Sequence, residues 1–424
     1  MFKTLRNAWH IPELRKKLIF TILILLVYSI GRQIPVPFIK VETLASYYES
    51  VLSETILGLY NAMSGSAFSQ ASVLALGIQP YINSSIIIQL LTIAIPALER
   101  LSKDGGEEGK KKIARITRFT TIGLGVLMGW AYYMMLANYQ KQYGFPILSE
   151  SGILPAVVII LAFAAGSTVV MWLGEQITEF GIGNGISMIL FANIICRLPG
   201  MAETTFQLGW WSIAVVIGMA ALIVLIVYVN DAERRIPIQY AKRVVGRKIY
   251  GGQNTNLPIK VSMTGVMPII FAQSIASLPA TICAFGGWTK GWWYTYVWSA
   301  SSWAYAVIYF LLIFFFGWFY ATIQYDPVEI SNNLKKNGGF IPGFRPGKPT
   351  ADFIKRVINK IVVFGSVYLS IVALLPIIAG NLFPQVNELA IGGTSIIIVV
   401  SVALETVKTL EAQMLMRHYE GFLD

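Results

Sequence analysis

The sequence predicts an all-α integral membrane protein with ten transmembrane helices, and three observations carry that prediction. Of the 424 residues, 55% are hydrophobic and 13% charged, whereas soluble domains carry roughly 25% charged residues. Ten apolar runs approach the roughly 20 residues a helix needs to cross a hydrocarbon core of about 30 Å. Finally, cations crowd alternate connections between those runs, the asymmetry that orients a multi-pass chain.

The runs lie near 18–34, 73–98, 116–137, 154–172, 182–196, 211–229, 261–284, 303–323, 354–378 and 391–409. The fifth and tenth are the weakest, because Gly181-Ile-Gly-Asn-Gly185 and Gly392-Gly393 predict turns at their starts. In the seventh, Met267-Pro268 predicts a kink. The polar, basic stretch before Leu18, and Pro35-Val-Pro37 after the first run, give no cleavable signal peptide. Cys196 and Cys283 fall within or at the ends of apolar runs and read as free buried thiols.

Charge fixes the orientation. Lys3, Arg6, Arg15, Lys16 and Lys17 precede the first run. Arg100, Lys103, Lys110, Lys111, Lys112 and Arg115 lie between the second and third. Two more basic connections join runs six to seven and eight to nine, while the alternate loops carry only Lys40, Lys141, Arg197 and Lys290. The positive-inside rule therefore puts both termini and every basic loop in the cytosol. The net charge of +11 also suits anionic lipid headgroups or an acidic or RNA-containing partner. On the other side, the Trp- and Tyr-rich stretch 286–298 reads as an aromatic belt at the headgroup level.

The second run is the odd one. Residues 57–69 are only modestly apolar, broken by Gly58 and Gly65 and carrying Asn61, Ser64, Ser66 and Ser69. They predict a short imperfect helix, followed at Gly77-Ile-Gln-Pro80 by a spanning one. Irregular backbone at membrane depth is tolerated only where it is buried in protein or lines a water-filled cavity, so this segment is expected to line and partly fill a pore.

Two basic connections look more structured than the others. Residues 232–257 alternate apolar with polar and basic residues around Ile236, Ile238 and Tyr240, the pattern of a projecting strand or hairpin. Residues 325–348 are rich in Gly and Pro, with Arg345 between Phe344 and Pro346. Each reads either as a solvated loop or as a docking surface for a cytosolic machine.

The missing chemistry narrows the function. His10 and His418 are the only histidines and both lie in terminal segments. Histidine is thus unavailable for a metal site, proton relay or catalytic base inside the membrane. No phosphate-cradling loop of the ATPase type is present, and no enzyme constellation, metal site or cofactor site is expected. Ion-coupled secondary transporters, the alternative class, keep an ionisable group near the midplane. Here Arg32, Glu175 and Glu405 fall near run ends. A passive conduit, or one driven from outside, remains.

Aliphatic residues mark the breaks. Ile78 and Ile82 are four apart, as are Ile186 and Leu190 after the glycine turn, so each pair shares a helix face. Ile270 follows Pro268, and Ile398 follows Gly393. Singly, each is an ordinary core- or lipid-facing residue. Together they can form an apolar constriction that gates by excluding water.

Long strings then resemble the SecY family, the channel subunits of the bacterial Sec protein translocase. They are Gly77-Ile-Gln-Pro-Tyr-Ile-Asn-Ser-Ser-Ile-Ile-Ile-Gln-Leu90, Met171-Trp-Leu-Gly-Glu-Gln-Ile-Thr-Glu179, Gly181-Ile-Gly-Asn-Gly-Ile-Ser187, Tyr240-Ala-Lys-Arg243, Asn333-Leu-Lys-Lys336, Gly343-Phe-Arg-Pro-Gly347 and Gly392-Gly-Thr-Ser395. The resemblance implies two inverted pseudosymmetric five-helix halves, 1–199 and 200–424, around a central hourglass pore. Cytosolic loops fall at about 231–258 and 324–353.

It implies a pore ring of Ile78, Ile82, Ile186, Leu190, Ile270 and Ile398, where Leu190 replaces the isoleucine common in the family. It implies a plug at about 56–70, with Leu57, Gly58, Asn61, Ser64, Gly65 and Phe68. A lateral gate between spans two-three and seven-eight would include Asn83, Gln89 and Leu278. Lys242, Arg243, Arg247, Lys335, Lys336 and Arg345 would meet the SecA motor or the ribosome. The implied partners are SecE, SecG, SecA, ribosomes, signal-sequence-bearing polypeptides and anionic lipids, with no small-molecule substrate. The implied location is the bacterial cytoplasmic membrane, and the implied function a protein-conducting channel rather than an enzyme.

Overall fold

The computed structural model describes residues 2–48, 61, 64–103, 105–144, 146–150, 152–207, 209–240, 243–245, 248–250, 254–262, 265–286, 294–298, 302–382 and 387–420. A short helix α1 (Phe2–His10) leads into α2 (Pro12–Gly31), which opens on a proline, tolerated there because that first-turn N–H has no helical partner. Thr21, Ile24 and Tyr28 form its buried stripe, while Ile22, Leu23, Leu26 and Val27 are exposed, as a lipid-facing side requires. After α3 (Val41–Tyr47) the next helices are α4 (Gln79–Ala94) and α5 (Pro96–Lys103), bent by 106° at Ile95.

Seven further long helices follow: α6 (Gly106–Tyr143), α7 (Ile153–Phe180), α8 (Gly185–Gln207), α9 (Trp211–Asp231), α10 (Met267–Gly286), α11 (Trp303–Gln324) and, after a short α12 (Pro327–Lys336), α13 (Lys348–Leu382). The chain ends in α14 (Asn387–Glu420). Each of the ten predicted runs thus has its helix. Six described helices are long and apolar enough to cross a membrane by themselves, and the bent α4–α5 pair is a seventh.

The structure corrects several expectations. The second run is not helical from residue 73: residues 64–78 are turns, and α4 starts only at Gln79. Pro268 does not kink the seventh run but lies in the first turn of α10, where its missing N–H costs nothing. Gly392 and Gly393 do not turn the chain, since both lie inside α14, where a glycine costs about 1 kcal/mol of helix propensity without ending the helix. Both cysteines are free, but only Cys283 is buried, Cys196 being exposed. Most of the aromatic stretch 286–298 lies outside the described residues.

The two structured basic connections form one body. Strand β1 (Glu233–Tyr240) pairs antiparallel with β4 (Asn254–Lys260), enclosing a hairpin of β2 (Arg243–Val245) and β3 (Lys248–Tyr250). On its other edge β1 pairs with β5 (Gly339–Phe340), which comes from the later connection. Ile236 and Ile238 alternate inward and join Ile259, Leu334, Ile341, Ile354 and Ile358 in a separate apolar cluster. That cluster welds the sheet to α12 and α13. Helix α12 within the 325–348 stretch was not expected; its signal was Asp326, which accepts from Val328 N at 2.8 Å, followed by Pro327 at the first helical position.

Candidate pore and plug

Sixteen residues of α4, at 1.5 Å each, rise about 24 Å. The non-helical stretch 64–78 precedes it, and most of it is buried. Its backbone must find partners elsewhere. Val36 N donates to Ala71 O at 3.0 Å and Val73 N to Ile34 O at 2.9 Å, so the strap after α2 pairs with the segment's exit. Tyr132 of α6 donates its Oη to Phe68 O at 2.7 Å, and its ring meets that of Phe68 edge-on at 4.7 Å. Asn61 turns the segment back on itself: its carbonyl accepts from Ser66 N, and its Oδ1 from Ser69 N at 3.0 Å. Burial pushes the Tyr48 phenol up to about 12, against the opposing pulls of an Asn61 hydrogen bond and the Arg197 charge.

The six aliphatic residues singled out by the sequence come together. Ile78, Ile82, Leu190, Ile270 and Ile398 are each at most 2% exposed and belong to one apolar cluster, against which Ile186 packs half-buried. Helix starts place most of them. Ile78 caps α4, and Ile82 N donates back to its carbonyl at 3.1 Å. Asn184 caps α8, its Oδ1 accepting from Ile186 N at 3.0 Å. Ile270 N reaches Val266 O at the start of α10. On the side of the basic connections lies a recess of about 470 Å³, lined in part by Asn184, Lys260, Met267, Glu405 and Lys408. Polar and charged residues therefore adjoin the apolar cluster on that side.

Of the residues expected in a plug, Asn61, Ser64, Gly65 and Phe68 are buried; Leu57 and Gly58 lie outside the described residues. Of the residues expected at a lateral gate, Asn83 is buried, and its Oδ1 has no hydrogen-bond partner among the described residues. Gln89 is half-buried nearer the Ile95 bend, and Leu278 on α10 is exposed. Lys335 and Lys336 are exposed in the last turn of α12. Arg345 is exposed on a loop fixed by Thr350 Oγ1 on its own carbonyl (2.8 Å), Ser331 Oγ on Gly347 O (2.9 Å) and stacking of Phe344 on Phe353. Arg243 contributes backbone to β2; Lys242 and Arg247 lie outside the described residues.

Sequence reasoning missed Gln79 and Ser274, hydrogen-bonded between α4 and α10, and also Arg32, Asn193 and Tyr132. The signal for Arg32 was its isolation: a cation at a run end facing the cation-poor side.

Fold and site together define a multi-pass helical membrane protein whose spans converge on one apolar cluster beside a buried, non-helical segment. The SecY family profile matches residues 72–407, and the chain belongs to the SecY family. A protein translocase subunit SecY of Streptomyces galbus is 41% identical, over the whole of both chains. Two solved structures share the fold. One is a SecY channel whose plug domain stabilises the closed state (TM-score 0.65, 19% identity, 94% of this chain and 92% of that one). The other is Sec61 in a canine ribosome–channel complex (TM-score 0.61, 18% identity, 94% and 92%).

Proposed function

We infer that this chain is the channel subunit of a protein translocase: unfolded polypeptides pass through it, and membrane segments leave it sideways into lipid. One observation carries the reading. Aliphatic residues from four helices distant in sequence are buried in a single cluster at the very point where the non-helical segment ends. Six such side chains can close around an extended peptide of any sequence. They offer it no hydrogen bonds, and when empty they exclude water and ions. Full-length identity to protein translocase subunits supports the same reading.

On this reading Ile78, Ile82, Ile186, Leu190, Ile270 and Ile398 form the ring, and residues 56–70 plug it. Residues 1–199 and 200–424 are the two inverted halves, opening toward lipid between α4/α6 and α10/α11. The location is the bacterial cytoplasmic membrane, with the basic connections and both termini in the cytosol. Driving force comes from the SecA ATPase or a translating ribosome docked on Arg243, Lys335, Lys336 and Arg345. The rigid, cation-bearing body built by β1, β5, α12 and α13 suits that role. Small SecE- and SecG-type subunits complete the complex. Mild solubilisation from its native membrane and purification of the tagged chain tests the assembly: a SecE-type subunit and SecA should co-purify, and their absence from an intact preparation would contradict it.

A further inference from the structure

Most contacts that hold the buried segment lie at its exit and run through backbone. Val36 and Ile34 ladder onto Ala71 and Val73, and that strap can stay paired while the part before it moves. The forward part is held by Tyr132 on Phe68, and a second pair of residues lies against it. Arg32, the residue that caps α2, donates from Nη1 to Oδ1 of Asn193 on α8 at 3.3 Å. Gly65 lies directly under this pair. A Cβ built there would meet Arg32 Nη1 at 2.5 Å, and Arg32 Cζ and Asn193 Oδ1 at 3.0 Å each. The Gly65 backbone is also left-handed, at φ +65°, a conformation that glycine alone adopts cheaply. The left-handed backbone favours a residue without a side chain, and the guanidinium fills the space that a Cβ would take.

Arg32 is an unusual choice for mere packing. Its charge is half-buried, and among the described residues no carboxylate pairs with it. Asn193, its acceptor, is fully buried. A guanidinium drawn out of water is costly unless it is hydrogen-bonded, so breaking the Asn193 bond leaves an arginine that gains by turning to water. A neutral acceptor also makes the attachment weaker than an ion pair. The Asn193 bond therefore keeps the guanidinium over Gly65 without the strength of an ion pair.

We propose that Arg32 is the positioning residue of the plug, a latch that Asn193 holds against Gly65 and that must swing away before the plug leaves the pore. The proposal rests on the plug reading of residues 56–70, and the test separates the two. Full-length chain, reconstituted with its small partner subunits, is compared as wild type, Arg32→Gln, Arg32→Lys, Asn193→Ala and a deletion of residues 57–69. The readouts are resting ion conductance and labelling of a cysteine at Ser66 by a membrane-impermeant maleimide.

Arg32→Gln and Asn193→Ala should both raise conductance and speed labelling several-fold, with Arg32→Lys intermediate. In the deletion background Arg32→Gln should add no further leak. If the deletion leaks while Arg32→Gln and Asn193→Ala stay tight, the latch is wrong and the plug stands. If the deletion is tight, the plug reading fails and the latch with it. A leak from Arg32→Gln that adds to that of the deletion places its action elsewhere and overturns the latch. Asn193→Ala leaves Arg32 in place, so the test survives if Arg32→Gln does not assemble.

Discussion

Ser274 of α10 donates its Oγ hydrogen to Oε1 of Gln79 on α4, 3.3 Å away, and both side chains are buried. One turn further along, the same stripes carry Asn83 on α4 and Leu278 on α10. The bond therefore joins α4 to α10, the two helices proposed to border the lateral exit seam.

A neutral hydrogen bond contributes about 1 kcal/mol net, or roughly five-fold in an equilibrium. Ser274→Ala should shift the closed seam toward opening by about that factor. A reporter with a weakened signal sequence is expected to be exported more efficiently by the variant, and unchanged export would show that the bond does not hold the seam.

The apolar cluster makes a prediction about leak. Ile82→Ser combined with Ile398→Ser replaces two buried aliphatic residues with groups that water can wet. Resting conductance of the reconstituted channel should rise several-fold while the protein stays folded.

Helix α7 packs against the irregular segment at backbone distance. A methyl group on Gly166 would lie 1.9 Å from Val73 O, and that carbonyl belongs to backbone, which cannot step aside cheaply. Gly166→Ala is expected to cost about 1–3 kcal/mol, as overpacking does, and to lower the melting temperature of the detergent-solubilised protein.

Arg345 projects from a loop whose backbone is tied down by Thr350 and Ser331, and its own side chain is exposed. Arg345→Glu should leave expression and thermal stability unchanged and reduce SecA-dependent secretion, measured as precursor accumulation in cells carrying only the variant.

The spans were legible because hydrocarbon enforces length and polarity: apolar runs and basic connections survive any detail of packing. The apolar cluster was legible from aliphatic residues at glycine and proline breaks. Other features depend on partners far along the chain. The pairing of Tyr240 with Gly339 joins two connections that read as separate loops, and neither stretch announces the other. Residues 73–78 are apolar enough for helix, but their carbonyls and amides are claimed by the 34–36 strap and by local turns. Gly392 and Gly393 read as a turn only when their neighbours are unknown. Arg32 read as a cation reaching for water, because nothing local reveals that Asn193 and Gly65 lie in its path.

Translocation itself is the most direct measurement. The chain, co-reconstituted with SecE- and SecG-type subunits into vesicles of anionic lipid, is supplied with SecA, ATP and a signal-bearing precursor, and protease-protected precursor is counted. Protected precursor should appear with ATP and disappear when an engineered disulfide pins the plug in place. A properly assembled complex that protects no precursor, or that protects it equally with the plug pinned, would contradict the channel.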